Sequence, residues 1–297
     1  MKVVKPIAIT NAVLISSTAT ETYAEYSAAT TYALGERVML TSAKKIYECV
    51  QAPSLAQPPD SSPLYWMEVS ATNKWAMFDG EISTQTEAED SLTVTLAPGY
   101  INSLALLGLE GNTLQIDMTD GAGGPNVYSK TINLDGTLIT NWYEYFFEPP
   151  VQLGDLVLTD LPTYMNARLT ITITGTGTVK CGQCSLGTFY VLGETEFGAT
   201  AGIIDFSRKE TSASGVTRLN KRAFSKRMSV RLQLDTIQIN KVQRILADLR
   251  ATPCAWMGAD DTARYAPLVV WGFYRDFSID VAYATVSYCT LEVEGLA

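Results

Sequence analysis

Ala167-Arg168-Leu169-Thr170-Ile171-Thr172-Ile173-Thr174-Gly175, running on through Thr178-Val179-Lys180-Cys181-Gly182-Gln183-Cys184 to Tyr190-Val191, decides the fold class. Leu169, Ile171 and Ile173 alternate with Thr170, Thr172 and Thr174. A period of two is the signature of a strand buried on one face. The same signal recurs upstream in SLTVTLA (91–97), SLALLGLEG (103–111), TLQIDMTD (113–120), VYSKTINL (127–134), WYEYFFEP (142–149) and DLVLTDL (155–161). About eight strands at this spacing predict a two-sheet sandwich over residues 71–193.

C-terminal to it, residues 194–297 read as a third block. IIDFSRKE (203–210) is a strand with a basic end, 212–215 a flexible tip, and RAFSKRMSVRLQL (222–234) a second strand. In that strand Phe224, Met228, Val230, Leu232 and Leu234 make the apolar face. Asp235 or Thr236 then caps the one convincing helix, 237–250, whose Ile239, Val242, Ile245, Leu246 and Leu249 follow a helical period. Arg250 suits its C-terminal dipole, and Pro253 stops it. PCAWMG, PLVVWGFYRDFSIDV and ATVSYCTLEVEGL supply three more strands. The order predicts an open or split β-barrel with the helix packed across it. Trp271, Phe273, Tyr274 and Phe224 are candidates for its core or an interface, with core preferred.

Toward the N-terminus, residues 1–22 read as an extended arm and 23–70 as a small aromatic module. RVML, IYECV and LYWMEV are its three strands, Lys44-Lys45 a hairpin tip, and QPPDSSP a Pro-rich loop. A module of this size needs aromatic packing to be stable. The expected fold is thus mainly β: a three-stranded module, a sandwich and a split barrel with one α-helix.

Composition narrows the chemistry. The chain has 297 residues, 46% hydrophobic, and no histidine. Ser–His–Asp and Cys–His catalysis within one chain is therefore impossible, and the usual zinc ligand is missing. No apolar run approaches the roughly 18–20 residues of a membrane helix, and MKVVKPIAIT lacks a signal peptide's apolar core, so a soluble chain without an export address is expected. The five cysteines are too sparse for a disulfide framework. Cys181 and Cys184 have CxxC spacing, but no second pair follows, and structural thiols are the expectation over a metal or redox site. Asp117, Asp120 and Asp135 lie near Gly-rich turns, where turn roles are commoner than calcium sites. No metal or cofactor is expected.

The net charge of −9 is unevenly placed. Residues 205–250 hold eleven Lys or Arg against four Asp or Glu, a balance of +7, which leaves −16 for the rest. An acidic body with one basic segment suggests a charged contact face, with Arg208, Lys209, Lys221, Arg222, Lys226 and Arg227 as its residues. No recognition helix or stacking motif accompanies them, so no nucleic-acid readout is expected.

Two resemblances add to this reading. Ser27, Thr30, Tyr32, Gly35, Val38, Ile46, Tyr47, Cys49, Pro58 and Trp66 make a pattern similar to small chitin-binding modules of the family 5/12 type. That likeness implies sugar stacking on aromatic faces, with Tyr32, Tyr47, Tyr65 and Trp66 as the candidates and Tyr65 or Trp66 the most exposed. Where that family presents aromatics after the second strand, this chain has Val50-Gln51-Ala52, so the preferred reading makes Tyr32, Tyr47 and Trp66 a mini-core. The sandwich looks like the jelly rolls of carbohydrate-binding domains, at the level of fold alone. VKPIAITNAVLISST (4–18), TNKWAMFD (72–79) and DFSRKETSASGVTRLNKRAFSKRMSVRL (205–232) resemble tail proteins of long-tailed bacteriophages. The third block also resembles the ring-forming domain of distal tail proteins. These likenesses imply a non-enzymatic virion protein made in the bacterial host cytoplasm. Its partners would be further copies in a hexameric or trimeric ring, the tail tube and baseplate hub, and a host surface glycan. The alternatives are a receptor-binding protein for surface polysaccharide and a carboxylate glycosidase.

Overall fold

A computed structural model of the chain describes residues 1–52, 55–137, 139–211, 214–260 and 265–296. The protein is mainly β. Its elements run β1 (Lys2–Pro6), β2 (Leu14–Ser17), β3 (Arg37–Leu40), β4 (Lys45–Cys49), β5 (Trp66–Ala71), α1 (Asn73–Ala76), β6 (Thr86–Leu96), β7 (Ser103–Glu110), β8 (Thr113–Asp120), β9 (Asn126–Asn133), α2 (Trp142–Phe147), β10 (Leu156–Leu158) and β11 (Ala167–Val191). They continue with β12 (Glu194–Thr195), β13 (Thr200–Asp205), β14 (Arg208–Thr211), β15 (Thr217–Asn220), β16 (Phe224–Asp235), α3 (Ile239–Asp248), β17 (Cys254–Met257), β18 (Val269–Asp280) and β19 (Val286–Gly295).

The alternating stretch is one long strand, β11, in the large antiparallel sheet. Its first half pairs β6 on one side and β8 on the other, so Leu169, Ile171 and Ile173 lie opposite Leu96, Val94 and Leu92 and opposite Met118, Ile116 and Leu114. All nine side chains are buried. The threonines between them face outward, where Thr170 and Thr172 meet Thr95 and Thr93 at 3.3 Å. Cross-strand Thr pairs of this kind add a few tenths of a kcal/mol, up to about 1 kcal/mol each. The register with β6 breaks between Thr174 and Thr178 and resumes over Thr178 to Cys181, and β11 also pairs β7 and finally β1. A bulge bends a strand, so one element can line both layers of the sandwich.

The extended N-terminal arm is built into the sheets through both of its strands. β1 lies between β11 and β17, with Val3 and Val4 wholly buried, and β2 extends the other layer by pairing β6. β1 thereby carries the sandwich sheet into the third block, whose strands follow as β17–β18–β19–β16, with β12 and β13 beyond. Val3 joins the core beneath α3, and Val4 the apolar junction between the two blocks. The close seam depends on Gly187: a Cβ there would lie 1.8 Å from the Lys5 carbonyl oxygen.

In the third block Met228, Val230, Leu232 and Leu234 are buried as an alternating face, whereas Phe224 is 54% exposed. α3 and its C-cap Leu249 cover the open sheet, with Val242 and Leu246 the buried helix residues, and among the described residues no closed barrel forms. The helix begins as a 3-10 turn, Thr236–Gln238, and neither the Asp235 nor the Gln238 side chain caps it. At its other end Arg250 Nε donates to the Ala247 carbonyl oxygen at 3.0 Å, and Ala251 adopts positive φ before Pro253.

The module is the three-stranded sheet β3–β4–β5. α1 joins it to the sandwich: Asn73 Nδ2 donates to the Thr20 and Glu87 carbonyl oxygens at 2.7 and 2.9 Å. Lys44, at the module's hairpin tip, lies 3.4 Å from the Trp75 ring centroid.

Candidate assembly interface

Between β13 and β16 the chain leaves the large sheet and forms a ribbon of its own, β14–β15. Every described residue of the ribbon is exposed, Arg208, Lys209, Arg218, Lys221 and Arg222 among them, together with Phe206, Val216 and Leu219. Of the tip expected at 212–215, Ser212 and Ala213 lie outside the described residues. Among the described residues, none of these five cations takes part in an ion pair. Lys221 acts through its field alone: Asp205, held below the usual carboxylate range first by hydrogen bonds from Ser207, is lowered further by Lys221. A two-stranded ribbon with no third partner is marginal in water. Its rows of unpaired backbone groups and its basic side chains are chemistry for contact with something else.

Two residues expected in the contact face stand elsewhere. Lys226 is half-buried and forms an ion pair with Asp155, whose other oxygen accepts from the Gly108 amide at 3.2 Å. That pair ties β16 to the sandwich, so Lys226 is an internal tie rather than a free charge. Arg227 is exposed but lies on the body of the sheet, where its side chain covers Gly202.

The module's candidate sugar residues form its core. Trp66 is 3% exposed, packs edge-on against Tyr26 and Tyr32 at 5.8 and 5.3 Å, and donates Nε1 to the Gln57 carbonyl oxygen at 2.8 Å. Tyr47 is buried, and Tyr32 and Tyr65 are half-buried against the same cluster. Trp66, the open face that the sugar-binding likeness implied, is instead a core residue, as in the preferred mini-core reading. A module this small stabilises itself by burying its rings, which leaves none of the four as a flat open platform.

The thiols are buried, and the turn carboxylates are hydrogen-bonded within the chain. Cys181 and Cys184 are both buried in the sandwich core, and burial pushes the Cys181 thiol up to about 12. Asp117 accepts from Ser129 Oγ and Gln115 Nε2, and Asp135 from the Thr137 amide. Among the described residues no three His, Cys, Asp or Glu side chains gather as metal ligands, and no helix is long and apolar enough to cross a membrane.

Sequence reasoning missed one surface feature. WYEYFFEP is not a strand: residues 142–147 are the helix α2, and Trp142, Tyr143, Tyr145, Phe146 and Phe147 are all 59–79% exposed. Asn141 accepts from the Glu144 amide at 3.0 Å, and the Glu144 carboxylate accepts from both the amide and the hydroxyl of Thr140 at 2.6 Å. This capping exchange starts the helix, and Pro149-Pro150 follow its end. The legible signal was Asn141 followed three residues later by Glu144, ahead of an apolar run.

No known protein-family model matches the chain, and no curated protein matches it.

Proposed function

We propose that this chain is a structural subunit of a bacteriophage tail tip, a distal-tail-like protein that forms a ring between tail tube and host-recognition apparatus. The observation that carries the reading is the exposed basic ribbon β14–β15, a two-stranded sheet of its own among the described residues, on a chain of net charge −9. A ring subunit needs two different faces that meet on neighbouring copies, and a basic ribbon on an acidic body supplies one of them. The resemblance of residues 4–18, 72–79 and 205–232 to phage tail proteins supports the same reading. On it, the module is a rigid spacer and the protein performs no hydrolysis.

Reversal of Arg208, Lys209, Lys221 and Arg222 to Glu tests the proposal. All four are exposed, so the variant should fold. Its incorporation into tails, and the salt-sensitive assembly of the purified chain, should fall sharply. Unchanged incorporation would sink the reading.

A further inference from the structure

The helix α2 has no buried residue. Six residues are too few for a stable helix in water, and aromatic residues are poor helix formers. Its rings meet one another: Tyr143 and Phe147 stand 4.9 Å apart, and Trp142 and Phe146 stack at 6.4 Å. Five clustered, exposed aromatics mark a contact site rather than ordinary surface. The knob is acidic, with Glu144 within it and Glu148 at its C-terminal end, and it carries no Lys or Arg.

A socket of opposite character opens at the root of the basic ribbon, where the sandwich meets the third block. It is a cavity of about 300 Å3 walled by Ile82, Leu107, Phe224, Val269, Trp271 and Leu296. Three of its polar side chains are already engaged within the chain. Asp155 and Lys226 pair with each other, and Trp271 Nε1 donates to the Gly80 carbonyl oxygen at 2.8 Å. The cavity therefore offers an entering group mostly apolar contact. Lys221 and Arg222 are exposed and immediately precede the wall residues Ala223 and Phe224, so two cations stand in the chain next to the cavity wall.

We propose that the aromatic helix of one copy seats its rings in the cavity at the root of the ribbon of the next copy. The match is of size, since the cavity holds one or two aromatic rings, and of charge, since Glu144 and Glu148 approach Lys221 and Arg222. Knob and socket are different surfaces of one chain, so the contact is heterologous and propagates from copy to copy. This rests on the ring-subunit reading and names the second of its two faces.

Site-directed cross-linking of the full chain tests it. All five native thiols are buried, so introduced cysteines react selectively with a short bifunctional thiol reagent. One chain carries Phe147→Cys, the other Ala223→Cys, and both positions are exposed. The mixture should give a cross-linked dimer that neither chain gives alone. Adding Trp142→Ala and Phe146→Ala to the first chain should reduce that product by more than about tenfold, as loss of a hot spot does. Sedimentation of the same samples separates the two failures. Assembly without the mixed product overturns the knob-and-socket contact and leaves the ring reading standing. A chain monomeric at every concentration overturns both. Self-coupling of the Phe147→Cys chain, or an internal cross-link in a chain carrying both cysteines, overturns the proposal in favour of helix-to-helix or intrachain contact.

Discussion

At Trp66 the same residue type serves either of two roles, and only its surroundings choose between them. The indole is the centre of a core with few other members, so its loss is not shared out among neighbours. Trp66→Ala should cost about 3–5 kcal/mol, the usual penalty for emptying a large aromatic site, and should unfold the module. Thermal melts followed by the module's tyrosine signal check this; a shift of only a few degrees would show the module to be held from outside. Gly187 makes the opposite point about size. An added methyl there meets the Lys5 carbonyl, so Gly187→Ala should destabilise the seam by about 1–3 kcal/mol or more, because β1 must move away. Denaturant unfolding of the two chains measures it. Lys226 illustrates why charge in a sequence is not charge at a surface, since a basic residue in a basic segment proved to be paired inward with Asp155.

Among the elements, α2 is the one whose stability rests most on capping. Glu144 is held below its ordinary value of 4.5, first by the side-chain hydrogen bond with Thr140. A carboxylate with a lowered folded pKa contributes stability above its unfolded pKa, and loses it as pH falls through the folded value. Acidification below about 4.5 should therefore unwind α2 while the sandwich stays folded. Trp142 fluorescence, set against far-ultraviolet dichroism of the whole chain, would reveal it, and coincident transitions would refute it. The ribbon β14–β15 behaves differently, because its strands are joined by backbone bonds that do not titrate.

For the molecule as a whole, β1 decides how many units unfold. It is hydrogen-bonded to β11 of the sandwich and to β17 of the third block, and its two valines enter two different cores. Calorimetry should therefore show the sandwich and third block melting in one transition, with the module giving a separate one. Trp66→Ala should move the module transition alone. Two well-resolved transitions for residues 71–193 and 194–296 would mean that the shared strand does not couple them.

The sequence by itself determined the strand content, the alternating core faces and the helix α3, because each rests on a short-range period: Leu169, Ile171 and Ile173 in one case, Val242, Leu246 and Leu249 in the other. It also made the basic segment plain, since composition needs no fold. The role of residues 2–6 was not legible, because five extended residues look alike whether they hang free or fill a gap between β11 and β17. WYEYFFEP was misread because its aromatics carry no period, and a cap at Asn141 wins locally where no neighbouring strand competes. Which charges stay free was decided by tertiary structure alone. Burial depends on what lies opposite, and residues such as Lys226 and Asp155, 71 positions apart, meet only after the sheets have formed.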